Sequence, residues 1–381
     1  MANPAIHARD DATHFIKHWK KKDFDVNSEY HVAELEFLAS LMRHQSTIPL
    51  DKIFSIFPLG RRLGIEMPEP DYNKTTPRAY EEFTRAWIRS RRKLSILALA
   101  ERPGSMPHDI PSWVPDWGKS DLPEDSYPDM SGWEGLARQI SSWTKGFCAS
   151  KQSDTPLVGM EITGQLPVLG KRVGIITSRY VSEVLGSLEH LSHQIQDAFT
   201  LFLKDMCRAV QAASPLPDGD TALTGLYHSS TYHMRKQSSL SRDTFDNLVD
   251  LMLYPNCKSL SLSYVERHAD KQSRFAVESY LAYAATSQSD QLAKDIHAAY
   301  TAVFKLANHA LFFLDTGHMG RALHNVREGD EVFLLAGCPW PMVLRSGGET
   351  YNFIAPAYLH GAMLGELWTN NPGDLENITI T

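Results

Sequence analysis

Cysteine is scarce in this sequence, and the few cysteines lie far apart. The 381 residues include four, which form no Cys-x-x-Cys pair: Cys148, Cys207, Cys257 and Cys338. This spacing excludes a zinc ribbon and a dense disulfide scaffold. The cysteine pattern therefore favours a reduced, intracellular protein.

Long hydrophobic runs are also missing. Nowhere does the sequence continue for ~18 apolar residues, the length that a membrane-spanning helix needs. Its N-terminus, MANPAIHARDDATHFIKHWKKK, has no apolar signal-peptide core. We therefore expect no membrane span and a cytoplasmic location.

An excess of positive charge is absent as well. Acidic residues outnumber basic residues by 45 to 38, which gives a formal net charge of −7. Such a chain has no overall positive field to attract nucleic-acid phosphates. We therefore expect no nucleic-acid partner.

The sequence lacks the common motifs for nucleotides, metals and covalent nucleophiles. It has no Gly-x-Gly-x-x-Gly and no Gly-x-Ser-x-Gly segment, and residues 164–171 are one residue too long for a phosphate-binding loop. His14 and His18 are four residues apart and can share a helical face, but no third ligand accompanies them. We therefore expect neither a metal nor a cofactor.

Several segments have the apolar period of a helix. Helices are predicted at 28–44, 77–91, 183–213, 242–253 and 289–311, with a further helical turn at 94–100 and a polar loop at 226–233. In the helix at 77–91, Thr76 is the predicted cap and Pro77 lies at the first position. Its predicted inner face consists of Tyr80, Phe83, Thr84, Trp87 and Ile88.

Short apolar runs between turn residues predict strands at 160–164, 172–177, 331–335, 342–345 and 351–358. Strands near 158–177 and 331–358 have to pair to cover their edges, so the helices between them are an insertion. The predicted fold class is α+β, a mostly helical body with a small antiparallel β-barrel or sheet. The predicted domains are 1–150, helical, and 151–381, the barrel with inserted helices, packed as one compact unit.

Aromatic residues flank two prolines at 110–117, IPSWVPDW. The prolines fix φ and remove two backbone donors, which predicts an ordered, extended loop carrying Trp113 and Trp117.

Several segments together resemble the fungal heterokaryon-incompatibility (HET) family. They are PLDKIFSI at 49–56, Tyr72 with YEEF at 80–83, PSWVPDW at 111–117, GDEVFLLAGCPWPMVLR at 329–345 and YLHGAMLGE at 358–366. In that family the death-inducing module precedes these segments, and here only a short lead precedes them. The resemblance therefore implies the C-terminal region alone, without the N-terminal effector module.

The matched segments supply the candidate site residues, each with a structural alternative. Proposed catalytic residues are His360, Asp116 and Arg345, and proposed substrate-binding residues are Trp113, Trp117, Tyr358, His318 and Arg321. The alternatives are core packing for the tryptophans, a turn cap for Asp116, strand-end hydrogen bonds for His360 and ion pairs for the arginines.

Two functions remain open. The first is a cofactor-independent cyclase or isomerase, including a pericyclase of the Diels–Alder type, acting on an apolar terpenoid or polyketide intermediate in fungal secondary metabolism. Such an enzyme gains rate by holding one conformer and polarising a carbonyl. The alternative is a HET-derived regulatory or interaction protein in fungal self/non-self recognition, which predicts an exposed apolar patch.

Overall fold

A computed structural model describes most of the barrel and part of the helical region. The described residues are 35, 38, 41–42, 46–62, 64–100, 109–118, 147–151, 153–181, 210, 213–231, 309–323, 325–369 and 371–381. The chain divides into two compact units, Met1–Ile176 with Asn325–Thr381, and Thr177–His324. The helix predictions at 183–213, 242–253 and 289–308 lie outside the described residues, apart from residues 210 and 213. The predicted domain division at residue 150 stays a prediction.

Short helices precede one long helix in the first unit. Helix α1 spans Pro49–Phe54, α2 spans Phe57–Arg62 and α3 spans Thr76–Arg91, followed by a 3₁₀ helix at Ser95–Ala100. The predicted helix at 28–44 is described at four positions, which are helical and buried: Leu35, Leu38, Leu41 and Met42. No helix in the described part of the chain has the length and apolar character needed to cross a lipid bilayer.

The helix predicted at 77–91 is confirmed as α3, but the predicted cap at Thr76 is wrong, because the helix already begins at Thr76. Thr75 is the N-cap and Pro77 lies in the first turn, where its missing N–H costs no hydrogen bond. The helix ends at Arg92, whose φ of 55° is left-handed. All five predicted inner-face residues are buried, so packing of this face, more than propensity, stabilises the helix.

The first unit contains a closed, mainly antiparallel β-barrel. Its strands are β1 (Leu166–Val181, of which 166–176 belong to this unit), β4 (Glu331–Leu335), β5 (Met342–Ser346), β6 (Tyr351–Leu359) and β7 (Glu376–Ile380). They are ordered β6-β5-β4-β1-β7, and Tyr351 of β6 pairs with Ile380 of β7 to close the ring. The predicted barrel is thereby confirmed, including the pairing of its two strand regions.

Gly170 lets β1 approach β4 closely. Gly170 is opposite Leu335, and a Cβ atom on it would lie 2.8 Å from the Leu334 carbonyl oxygen. A bulge between Arg172 and Gly174 then shifts the register, and such bulges add local twist to a strand.

The second unit contains a helix and a hairpin. Helix α4 spans Ala222–Thr231, and β2 (His309–Leu314) pairs antiparallel with β3 (Met319–Leu323). The turn between the strands uses Gly317 at φ +84°, a conformation that glycine adopts without a Cβ penalty.

Some sequence predictions were wrong. Residues 160–164 form turns, and β1 begins at Leu166. The predicted helix at 289–311 ends in strand β2, because a continuous apolar run such as HALFFL has no period that separates a buried strand from a helix. The predicted loop at 226–233 lies in α4 as far as Thr231. The mostly helical body is not supported: the described residues contain four α-helices and seven strands.

Candidate functional site

Three of the family-like segments meet on the inner side of helix α3. The Tyr80 hydroxyl donates to the Pro49 carbonyl over 3.2 Å. The buried Lys52 amine donates to the carbonyls of Met42 (3.2 Å) and Gly118 (3.4 Å). These contacts join α1, α3 and the Trp-rich loop at 110–118, and we call this meeting point the motif junction.

Trp117 fills the apolar part of the motif junction. Its ring packs edge-to-face on Phe83 with 5.0 Å between centroids, and its Nε1 donates to Thr84 Oγ1 over 3.4 Å. Edge-to-face aromatic pairs are favoured by the ring quadrupoles. Trp117 is buried. It therefore packs in the core, which was the structural alternative to substrate binding for this residue.

The Trp-rich loop is turned, not extended as the prolines predicted. The Val114 N–H donates to Pro111 O and the Trp117 N–H donates to Pro115 O, each over 3.0 Å. Short-range bonds of this kind produce tight turns, and they bring both tryptophans inward.

Asp116 lies half-buried in this turn and accepts the Gly118 N–H over 3.1 Å. Burial, and after it the Asp116 charge, raises the pKa of the Tyr80 hydroxyl. Tyr80 is therefore a neutral hydrogen-bond donor at physiological pH and not a base. Asp116 therefore caps the turn, which was the structural alternative to its proposed catalytic role.

A buried ion pair on α3 joins Glu81, the residue after Tyr80, to Arg85 one turn later. Arg85 Nη2 and Nε donate to Glu81 Oε1 over 2.6 and 3.0 Å, and the Arg85 guanidinium lies 4.8 Å from the centre of the Trp113 ring. Burial lowers the pKa of Arg85, while the hydrogen bond and charge of Glu81 act in the opposite direction. The guanidinium remains charged, because the pKa of arginine starts far above neutrality.

Arg85 also binds the backbone of the segment 157–165, which we call the β1 entry loop. Its guanidinium donates to three carbonyl oxygens, those of Met160, Ile162 and Gln165, the last over 2.6 Å. One planar cation thus satisfies several acceptors that the turns of this loop leave unpaired.

Further bonds fix the same loop. Glu81 accepts the Gly164 N–H over 2.7 Å, Trp113 Nε1 donates to Gly164 O over 3.3 Å, and Arg89 donates to Met160 O over 3.1 Å. The β1 entry loop is therefore hydrogen-bonded both to α3 and to the Trp-rich loop. Its outer side chains Leu157, Val158 and Ile162 are 38%, 85% and 49% exposed.

Ser112 connects the Trp-rich loop to the barrel. Its N–H donates to the Thr381 carbonyl over 3.1 Å, its hydroxyl donates to the same oxygen, and the hydroxyl accepts the Phe353 N–H over 2.8 Å. The segment that carries the two tryptophans thus contacts β6 and the end of β7.

Arg345 forms the ion pair that was its structural alternative. Its guanidinium donates to both Asp330 oxygens over 2.7 and 3.0 Å and to Asn325 O over 3.1 Å. Asp330 is buried and also accepts the Arg327 N–H over 2.7 Å. The pair fixes the turn before β4.

Tyr358 and His360 are close in sequence at the end of β6, and both are buried. Each is 8% exposed, and the Phe147 ring lies 6.3 Å from the Tyr358 ring. Tyr358 belongs to β6, whereas His360 lies in the turn that follows the strand.

The other two candidates belong to the second unit. His318 Nδ1 lies 3.0 Å from Thr316 Oγ1, and the buried Arg321 donates to the Ser229 carbonyl over 2.8 Å. The structure thus places the eight candidates in four settings: Trp113, Trp117 and Asp116 in the Trp-rich loop, Arg345 beside β4, Tyr358 and His360 at β6, and His318 and Arg321 in the second unit.

Sequence reasoning missed Glu81 and Arg85. The available signal was their i,i+4 spacing beside the inner-face residues Tyr80 and Thr84, because Glu four residues before Arg favours a helical ion pair. The inner-face prediction contained apolar residues and Thr84 but no charges.

Comparison with known proteins identifies one domain. Residues 256–373 match the family model of the Het-6 beta-barrel domain. Neither the curated proteins nor the solved structures gave a match. Residues 256–373 are therefore similar to the Het-6 beta-barrel domain, which supports the resemblance of this chain to the C-terminal region of HET-family proteins.

Proposed function

We propose that this chain is an interaction protein of the HET type, which binds a protein partner in fungal self/non-self recognition. The observation that carries the proposal is the motif junction, where the polar groups of the family-like segments hold the fold together. A conformationally fixed body that displays a loop is what recognition requires, since rigid elements position binding loops.

The polar groups of the motif junction have structural partners. Lys52 donates to two backbone carbonyls, Tyr80 donates to a third, and Arg85 binds Glu81 and the β1 entry loop. A general acid or base has to reach a substrate proton directly or through one water. Groups committed to buried backbone atoms serve folding instead.

The test is partner identification followed by reconstitution. The tagged full-length chain is purified from its host beside a tag-only control, co-purifying proteins are quantified by mass spectrometry, and each candidate is expressed and titrated calorimetrically against the chain. The proposal expects a purified partner that binds with defined stoichiometry. Absence of binding for every enriched candidate would overturn it.

A cofactor-independent cyclase or isomerase, including a Diels–Alder type pericyclase for an apolar terpenoid or polyketide, is the second candidate. Tyr358 and His360 favour it, because a hydroxyl and an imidazole can each donate a hydrogen bond that polarises a substrate carbonyl. The site would gain rate by holding one reactive conformer.

Metabolite profiling tests this second candidate. Host strains with the intact gene, without it and with Tyr358→Phe are compared by liquid chromatography and mass spectrometry. A product that disappears in the deletion and falls in Tyr358→Phe supports catalysis. Identical profiles in all three strains count against it.

A cytoplasmic location is proposed for either function. Fluorescent tagging of the chain in the same host checks this location.

A further inference from the structure

We propose that the β1 entry loop is a docking surface for an acidic protein segment that presents apolar side chains. The contact residues are Leu157, Val158 and Ile162, flanked by Arg78 and Arg89. This inference rests on the proposed interaction function and assigns it a site and a partner chemistry.

The loop separates its apolar side chains into two directions. Met160 is fully buried, whereas Val158 is 85% exposed and Ile162 is 49% exposed. Successive turns produce this arrangement, since the Met160 N–H donates to Leu157 O and the Ile162 N–H donates to Gly159 O. Leu157, Val158 and Ile162 thus place three exposed apolar side chains within six residues, and apolar groups clustered at the surface, unlike single ones, indicate an interaction site.

The buried cation underneath makes the loop rigid before any partner binds. Arg85 binds the carbonyls of Met160, Ile162 and Gln165, and Glu81 binds the Gly164 N–H. Ordering a loop on binding costs free energy, so a loop that is already fixed binds more tightly for the same contacts.

Two arginines flank the loop on the α3 side. Arg89 is exposed, and in the described part of the chain its hydrogen bond goes to the Met160 carbonyl, not to a carboxylate. Arg78 donates to Thr163 Oγ1 over 2.7 Å and pairs with Glu82, which Lys74 also contacts. Since a guanidinium has five N–H donors, both arginines can donate hydrogen bonds to a partner's carboxylate beside the apolar side chains.

The charge pattern favours a protein partner over an anionic membrane. Lipid-binding surfaces use clusters of about four to eight Lys or Arg residues, whereas this loop has two flanking arginines and its own carboxylate at Glu161. An apolar centre with a polar, charged rim is the arrangement of protein interfaces.

A peptide-display selection on the folded full-length chain tests the site. Peptides are enriched from a random library, and the most frequent ones are synthesised with a fluorescent label and titrated by anisotropy. The variants are Val158→Glu, Ile162→Glu and Arg89→Gln. The matched control is Ile48→Glu, because Ile48 is 47% exposed and Ile162 is 49% exposed. Circular dichroism confirms that each variant is folded.

The proposal expects enriched peptides that combine Asp or Glu with Leu, Ile or Phe. Their affinity should fall about tenfold or more in Val158→Glu and Ile162→Glu, fall with Arg89→Gln, and stay unchanged in Ile48→Glu. Enrichment of basic peptides, no enrichment, or binding of phosphatidylserine vesicles in place of peptides overturns it. Peptides that bind equally to wild type and to all loop variants overturn the site alone and leave the interaction function standing.

Discussion

Arg85 shows how a single side chain organises this protein at the residue scale. It pairs with Glu81, lies 4.8 Å from the Trp113 ring centre and binds three loop carbonyls. A buried ion pair adds little net stability compared with apolar residues of the same size, but removing one partner leaves an uncompensated charge. Here an apolar replacement of both residues would also leave the carbonyls unpaired, so we expect no neutral double substitution.

The first prediction concerns the charge of Glu81. Glu81→Gln should lower the free energy of unfolding by about 3 kcal/mol, because Arg85 would stay buried without its counter-charge. Urea denaturation measures the change. The control is Glu82→Gln, whose side chain is 22% exposed and whose pairs lie near the surface, with an expected loss below about 1 kcal/mol. Equal losses in the two variants would contradict the prediction.

The second prediction concerns the Cys338 thiol. Full burial raises its pKa to about 12, and the thiolate is the species that alkylating reagents attack. Iodoacetamide at pH 8 should therefore modify Cys338 in urea but not in the native protein, as measured by peptide mass spectrometry. Modification of native Cys338 at the rate of a free thiol would show that the site is open.

At the scale of elements, the turns decide how the barrel and the helical region meet. Gly337 follows β4 with φ +82°, and the Leu94 N–H donates to its carbonyl over 2.8 Å. A Cβ atom there would lie 2.8 Å from Thr155 N and 3.0 Å from Arg92 O. Two requirements coincide at this position, a left-handed backbone and a close backbone approach.

The third prediction separates these two requirements. Gly337→Ala should lower the free energy of unfolding by about 3 kcal/mol or more, because backbone atoms cannot move aside as a side-chain end can. Gly348→Ala is the control, since Gly348 has φ +99° with no atom within 4 Å of the added Cβ. Its loss should be about 1–2 kcal/mol, the left-handed cost alone. Chemical denaturation of both variants compares the values, and the prediction fails if Gly348→Ala is the more damaging.

Elements were predictable where a pattern was complete within one segment. The apolar period identified helix α3, and the turn residues between the apolar runs identified the strands β4, β5 and β6. Strand β7 was missed, because its short sequence ENITI has two exposed polar residues and becomes a strand by pairing with β1. Pairing partners that lie about 200 residues apart leave no local signal.

At the scale of the whole molecule, the barrel uses more of the chain than the matched domain. The family match covers 256–373, but β4 pairs with β1 at 166–181 and β1 pairs with β7 at 376–380. Without β1, strand β4 would expose a row of unpaired backbone groups, and such edges promote aggregation.

The fourth prediction follows from these pairings. A fragment of residues 256–373 should aggregate or unfold without cooperativity, whereas the full-length chain should unfold cooperatively. Size-exclusion chromatography and urea denaturation compare the two. A monomeric fragment with a cooperative transition would show that β1 and β7 are dispensable for the barrel.

The sequence by itself determined the position and buried face of α3, the barrel strands β4, β5 and β6, and the resemblance that the Het-6 match supports. These features depend on neighbouring residues or on short motifs. Only the tertiary structure decided that Lys52, Tyr80, Arg85 and Arg345 bind buried partners, and that the β1 entry loop is held from beneath. The physical reason is that the partner of a buried polar group is set by chain segments distant in sequence, and no local pattern records which segment arrives.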